Sequence, residues 1–431
     1  MSTHDRLVIV DGYRTPFCKA GTKLRNAQAS DLATHVFREV IDRTGIDPAI
    51  IDEVILGCGG PAPTEANIAR VASLRSGVPE TVPSVTVMRN CASGMEAVYA
   101  AQMRMRAGAG DVFLVGGTES MSNYPLMMND RMVQFFSKLS KARSLGQRLS
   151  TIAGFRPGFL KPRIAILEGL TDPVTGLMMG NTAENVARRF DINRADQDAF
   201  ALSSHLRAAT AQNADRLQEE IVSTPVGPHF DTLVELDNGI RADQTPEALA
   251  KLRPVFDKRE GDVTVGNSCQ VTDGAAAMLV MSERRAEQLN LSPLAILAGH
   301  GHAGLDPQFM GLGPVHATPI ALQEAGIEFG DLERFEINEA FAAQVLACQK
   351  AFASDDYCRD VLGLDHALGE IDSSRLNVNG GAIALGHPIA ATGARIILTL
   401  ARQLRASGER YGLASLCIGG GQGQAFVVEA A

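Results

Sequence analysis

Two distant stretches carry one pattern, and that repetition restricts the fold more than any other feature of the chain. "NCASGMEAVYAAQMRM" (90–105) followed by "DVFLVGGTES" (111–120) lies over "GHPIAATGARIILTLARQL" (386–404) followed by "YGLASLCIGGGQG" (411–423). In each, a reactive side chain stands where a helix opens, and an apolar strand ending in glycines follows. A pattern repeated at this scale points to two similar units. The surrounding runs fit it. "RLVIV" and "EVILGCG" read as strands, and "LERFEINEAFAAQVLACQ" as a strand running into a helix. "SDLATHVFREVIDRTG" reads as a helix capped by Ser30 and stopped at Gly45. Short apolar runs alternating with amphipathic ones are the α/β pattern. At 431 residues the chain exceeds what one core organises. We divide it into a first half, 1–120 with 180–290, an inserted segment, 121–179, and a second half, 291–431.

The inserted segment differs in character. From Arg131 to Arg163 it has eight Lys and Arg residues and no Asp or Glu. Met132, Phe135, Phe136, Leu139, Leu149 and Ile152 fall on a broad helical face, with Leu145 off it. This is a basic, amphipathic helical excursion. It sits in a chain of net charge −9, which argues against nucleic acid as the main partner. No run of 18 uncharged apolar residues predicts a membrane span. The opening "MSTHDRLVIVDGYRTP" lacks the features of a secretory signal. Seven cysteines at irregular spacing, without C-x-x-C, predict reduced thiols in the cytoplasm and no zinc site. His300 and His302, in "GHGHAG", read as loop residues before they read as metal ligands.

Four motifs carry candidate chemistry. Cys91 stands at a helix N-terminus, where unpaired N–H groups and the helix dipole favour thiolate. It is either a nucleophile or a buried structural thiol. His387, in "NGGAIALGHPIAATGAR", precedes a proline at a helix start. It is an acid/base or oxyanion donor, or else a cap. "CIGGGQGQA" places Cys417 at a strand end before Gly419, Gly420 and Gly421. Such a turn aims N–H groups into a cleft, as an oxyanion hole or a phosphate cradle. Its spacing is not that of a dinucleotide fingerprint. In "INEAFAAQ", Asn338 either caps the following helix or holds a water or carbonyl.

Together these stretches resemble the thiolase family. "VDGYRTPF", "MGNTAENVARRFDINRADQDAFALSSH" and "LRPVFDKREGDVTVGNSCQVTDGAAAML" extend the likeness over nearly the whole chain. The resemblance implies two duplicated αβαβα halves in a five-layered body, with an inserted loop domain. It also implies a transferase that cleaves 3-ketoacyl-CoA with CoA, as in fatty-acid β-oxidation, or runs the reverse condensation. Position by position it makes Cys91 the acyl-carrying nucleophile, His387 its activator and Cys417 the second acid/base. Asn338 holds a water, and the N–H groups of Cys91 and Gly419 form an oxyanion hole. CoA is a substrate, and no metal or redox cofactor is implied. Arg241 and Phe256 are implied CoA contacts. Cys269 stands where members often have Ser, Met178 where some place His, and Met179 lines the acyl pocket.

The insert is similar to that of the β subunit of the fatty-acid-oxidation trifunctional complex. There it docks a hydratase/dehydrogenase subunit and approaches the membrane. That branch usually reads His-Glu-Ala-Phe where this chain has Asn338-Glu339-Ala340-Phe341. A homodimer or tetramer is expected, through the sheet edge near the first catalytic helix. Three rivals share the fold. A biosynthetic acetoacetyl-CoA thiolase differs in substrate and direction. A ketoacyl-carrier-protein synthase lacks a second cysteine at the Cys417 position. A non-catalytic lipid carrier would tend to lose Cys91 or His387.

Overall fold

The computed structural model describes residues 5–227 and 231–431. Its frame is one continuous mixed sheet. Strands β1 (Leu7–Arg14), β2 (Glu53–Gly57), β3 (Ser84–Val87), β4 (Val112–Ser120) and β5 (Thr272–Ser282) lie in the order β3-β2-β4-β5-β1. Strands β6 (Ala295–Gly304), β7 (Arg334–Ile337), β8 (Tyr411–Ile418) and β9 (Gln422–Ala430) lie in the order β7-β8-β9-β6. The senses repeat as well. β2 runs parallel to β4 as β7 does to β8. β5 is antiparallel to both β4 and β1, as β9 is to β8 and β6. A parallel bridge from Phe335 to Leu376 takes the place that β3 has beside β2. The two sets meet where β1 pairs antiparallel with β6.

The helices that matter below are α1 (Ala29–Thr44), α2 (Ile68–Arg75), α3 (Ser93–Arg106), α4 (Asp130–Lys141) and α5 (Leu145–Ala153). After them come α6 (Met179–Arg189), α7 (Arg194–Asn213), α8 (Gly313–Ala325), α9 (Ala342–Phe352) and α10 (Ile389–Ser407). Strand alternation sorts the apolar residues into separate cores, because successive side chains leave a strand on opposite faces. Val8, Val54 and Leu114 pack outward under α1 and α2. Their neighbours Ile9, Ile55 and Phe113 pack inward with Met95 and Val98 of α3 and Ile396, Ile397 and Leu400 of α10. Leu416 and Phe426 close that middle core from the second set. Leu413 and Val427 face the other way, toward Val315 of α8 and Val345 of α9. The layers therefore run helix, sheet, helix, sheet, helix. Every residue of β4 and β5 is buried, as expected for strands covered on both faces.

The two middle helices cross at glycines. A Cβ on Gly393 of α10 would lie 2.6 Å from the Met95 backbone nitrogen, and one on Gly94 of α3 would lie 2.5 Å from the Ala390 oxygen. No side chain fits there, and the close crossing brings the N-terminal ends of α3 and α10 together.

Two local expectations change. Helix α1 starts at Ala29, and Gln28 with Asp31 forms a reciprocal capping box. Ser30 does not cap it; its hydroxyl bonds Glu65 instead, while Gly45 ends the helix in the left-handed conformation. The basic excursion is not one helix but two, α4 and α5, broken at Ala142 to Ser144. Neither helix buries a residue. Phe135 turns inward against Phe155 and Phe159, with Phe136 at its edge, so the segment carries a small aromatic core of its own. Leu145, Leu149 and Ile152 stay exposed. Among the described residues no helix is long and apolar enough to cross a membrane.

Candidate active site

Cys91 sits in the short turn Asn90–Ala92 that leads into α3, two residues before Ser93 begins the helix. Asn90 takes a left-handed φ of 45°, which asparagine tolerates better than most residues. Its side-chain amide donates to the Gly419 carbonyl at 2.8 Å. That bond ties the Cys91 turn to the turn after β8, where Gly420 and Gly421 have φ of 95° and 79°. The helix N-terminus favours thiolate here, and burial opposes it. Burial pushes the Cys91 thiol up, against the N–H groups of Gly419 and of Cys91 itself, which pull it down. A desolvated thiol needs a base.

Five of the expected site residues converge with it, His387, Cys417, Cys269, Met179 and Phe256. Cys91, His387, Cys417 and Cys269 line one cavity of about 150 Å³, with Met178, Met179, Phe256, Met310 and Phe341 as apolar walls. A second cavity, about 300 Å³, lies beside it and shares Cys91, Leu170, Met179 and Ile389. Gly59, Met88, Tyr124, Val174 and Gly419 form its other walls. Cys91 thus stands where two spaces meet, and Met179 borders both.

His387 precedes α10 and is buried. Its backbone N–H donates to the Gln270 carbonyl and the Thr272 hydroxyl. Its Nδ1 contacts the Thr392 hydroxyl at 2.6 Å, while Nε2 has no partner among the described residues. Burial, and then the Arg395 guanidinium, lower it to about 4, so the ring is neutral near pH 7. Arg395 is itself held by buried Glu336 at 3.1 Å. The Cys417 thiol is raised by burial and then by Cys91, Cys348 and Cys269 around it. Cys269 is pushed up to about 12, first by burial and then by Cys91. Burial is thus the first cause of the upward shift of all three thiols.

Asn338 does not cap α9, whose N-cap is Phe341. It is buried, and neither atom of its side-chain amide bonds a protein group. Its neighbour Ala340 lines the first cavity, although Asn338 does not. Phe256 lies edge-on to Phe341 at 6.0 Å and closes the cavity wall. Arg241 is exposed and lines neither cavity. Its backbone N–H donates to the His205 ring at 3.2 Å. His300 and His302 meet carboxylates absent from their local sequence, Glu324 and Glu96.

Sequence reasoning missed the carboxylates that hold the site. Glu119, at the end of β4, accepts from the N–H groups of Gly59 and Gly60 and from the Tyr124 hydroxyl. Burial raises it. Glu339 accepts from Ser204, Asn377 and the Ile383 N–H, and so fixes the loop that precedes His387. The only signal was a lone acid within an apolar run, which does not reveal its partners.

The arrangement offers a thiol nucleophile, a neutral imidazole, a second thiol and two N–H groups in a water-poor pocket. That set suits acyl transfer. Known proteins agree with the geometry. The family model "Thiolase, N-terminal domain" matches residues 7–284, and "Thiolase, C-terminal domain" matches 291–430. Over 426 residues the chain is 42% identical to the 3-ketoacyl-CoA thiolase of Yersinia enterocolitica, covering 99% of this chain and 97% of that one. The crystal structure of Bacillus anthracis acetyl-CoA acetyltransferase has a TM-score of 0.87 to it, at 36% identity, with 100% of both chains covered. Human mitochondrial 3-ketoacyl-CoA thiolase in complex with CoA has a TM-score of 0.84, at 33% identity, covering 100% of this chain and 99% of that one.

Proposed function

The chain belongs to the thiolase family, and from that membership we propose that it is an acyltransferase cleaving 3-ketoacyl-CoA with CoA. The observation that carries this reading is the position of Cys91 at the junction of two cavities. One cavity holds the acid/base groups. The other gives an acyl group longer than acetyl a place to lie, which favours the degradative over the acetoacetyl-CoA reaction.

In the proposed sequence His387 Nε2 takes the Cys91 proton and the thiolate attacks the 3-keto carbon. The Cys91 and Gly419 N–H groups hold the resulting oxyanion. The C2–C3 bond breaks with its electrons on C2, giving an enolate held by His387 and a water on Asn338. The Cys417 thiol protonates C2, and acetyl-CoA leaves. An incoming CoA thiol passes its proton to the Cys417 thiolate and attacks the acyl-Cys91 thioester. Cys91 departs as thiolate and recovers its proton from His387. Two substrates enter by turns through one acyl-enzyme, and the steps call on no metal or redox cofactor. Phe256, Met179 and Cys269 would contact CoA along the first cavity. Arg241 would reach only the distal nucleotide end.

Strand β3 is the free edge of the sheet, and Met88 beside it is largely exposed. This supports assembly through that edge into a homodimer or tetramer. The excursion's exposed basic and apolar residues support docking to a hydratase/dehydrogenase subunit or an anionic membrane surface. Seven unpaired cysteines suit a reducing, cytoplasmic compartment. The test is a thiolysis assay with 3-ketoacyl-CoA substrates of graded length, followed by loss of the enolate absorbance. Turnover should be highest beyond four carbons. Activity on acetoacetyl-CoA alone would replace this reading with the biosynthetic one, and none on any length would favour a carrier.

A further inference from the structure

We propose that Thr392 is a positioning residue for His387, and that its hydroxyl lets one imidazole serve first as base and then as hydrogen-bond donor. The inference rests on the acyl-transfer reading above. Thr392 lies in the first turn of α10 and is fully buried. Its hydroxyl meets His387 Nδ1 at 2.6 Å, its only side-chain hydrogen bond among the described residues. A buried helical threonine commonly donates back to the carbonyl four residues earlier. Thr318 of α8 does so, to Pro314 at 2.7 Å. Thr392 spends its hydroxyl on the imidazole instead. The consequence is directional: with Nδ1 anchored, Nε2 is left buried and without a partner, on a ring that lines the catalytic cavity.

The proposed mechanism asks two things of that nitrogen. It must be bare to take the Cys91 proton, and protonated to donate toward an enolate oxygen. A hydroxyl is the partner that supports both. With Nδ1 protonated it accepts, and Nε2 is free. With Nδ1 bare it donates, and Nε2 carries the proton. When Cys91 gives up its proton, both ring nitrogens are protonated and Nδ1–H still has an acceptor. A carboxylate at this place would favour only protonated Nδ1.

The internal repeat supplies an independent argument. Aligning Gly94 with Gly393, the two crossing glycines, sets Ser93 over Thr392. Ser93 donates to the Asn90 carbonyl at 2.7 Å and accepts from the Arg89 N–H at 2.9 Å. In the first half this hydroxyl fixes the backbone turn that carries the nucleophile. In the second it fixes the side chain that serves the nucleophile.

The experiment compares Thr392→Val, which keeps the branched shape without the hydroxyl, with Thr392→Ser, which keeps the hydroxyl. Thr392→Val should lower kcat by about ten- to a hundredfold, the usual cost of losing a partner that orients a catalytic group, with KM for CoA within about threefold. It should also slow alkylation of Cys91 by iodoacetamide, a readout that needs no substrate. Thr392→Ser should restore most of both. Unchanged kcat and alkylation in Thr392→Val would overturn the proposal. So would a raised KM with normal kcat, or a Ser variant as impaired as Val. If the wild-type protein lacks thiolysis, the acyl-transfer reading fails by itself, and the alkylation comparison still decides the role of Thr392.

Discussion

The catalytic body and the basic excursion are built on opposite terms. Around Cys91 and His387 the strand ends and helix starts are largely buried, and Glu119 and Glu339 hold the flanking loops through defined hydrogen bonds. The excursion buries none of the residues of α4 or α5, and a small set of phenylalanines holds it together. Its charges face water. The contrast shows where this chain spends its specificity. In the body, two helices cross at glycines where no side chain fits, which sets how closely their N-terminal ends approach. In the excursion only charge sign and apolar exposure are specified, which is what a surface needs and what a reaction centre cannot use.

The sharpest test of that contrast is Cys91→Ser. Turnover should fall by a factor on the order of 10³ or more, with the fold intact by circular dichroism, because a hydroxyl is a far weaker nucleophile. Retention of a substantial fraction of kcat would mean that the body's defined geometry does not centre on this thiol.

Acid should damage the body specifically. His387 and His205 are both lowered to about 4 by burial, the latter also by Arg241 and Lys19. Their folded values lie below the unfolded value of about 6.5. Between these limits the unfolded chain binds protons that the folded chain refuses, so stability falls as pH drops from about 6.5 toward 4. The loss should reach up to about 3 kcal/mol for each residue. Denaturant unfolding at pH 7 and pH 4.5 checks it. Equal stability at the two values would show that these rings are not buried in neutral form.

Gly393→Ala probes the crossing itself. The new methyl would meet the Met95 backbone nitrogen at 2.6 Å, and backbone yields poorly. We expect a loss of about 1–3 kcal/mol, typical of overpacking, with kcat reduced as Cys91 and His387 move apart. A neutral result in calorimetry and turnover would show that the helices separate freely.

The smallest effect on catalysis belongs to the excursion. Neutralising Lys138, Lys141, Arg143 and Arg148 together should leave kcat unchanged and abolish salt-sensitive binding to anionic vesicles or to a hydratase/dehydrogenase partner. A raised KM for CoA with no binding defect would assign those charges to the substrate, and the division between body and excursion would blur.

The sequence by itself determined the α/β class, the repeat and the four motif residues. Hydrophobic period, glycine placement and reactive side chains at helix starts are local properties, readable without partners. Cys91, His387, Cys417 and Asn338 could be chosen in this way, and the first three line one cavity, while Phe256, implied only by the family resemblance, lines it too. What only the tertiary structure decided is what surrounds them. The sequence places the thiol at a helix end, where N–H groups favour thiolate, but burial outweighs them and pushes Cys91 up. Arg241, implied by the resemblance as a contact at the nucleotide end of CoA, stands outside the cavity. Glu119 and Glu339 act through partners distant in the chain, 271 residues for the Ala390 N–H to Glu119 and 135 for Ser204 to Glu339. No spacing rule reports such pairs, since they exist only after two cores have packed against each other. The break between α4 and α5 is of the same kind. An apolar stripe shows that a face exists, and only the folded segment shows that Phe135 turns inward while Leu149 and Ile152 remain in water.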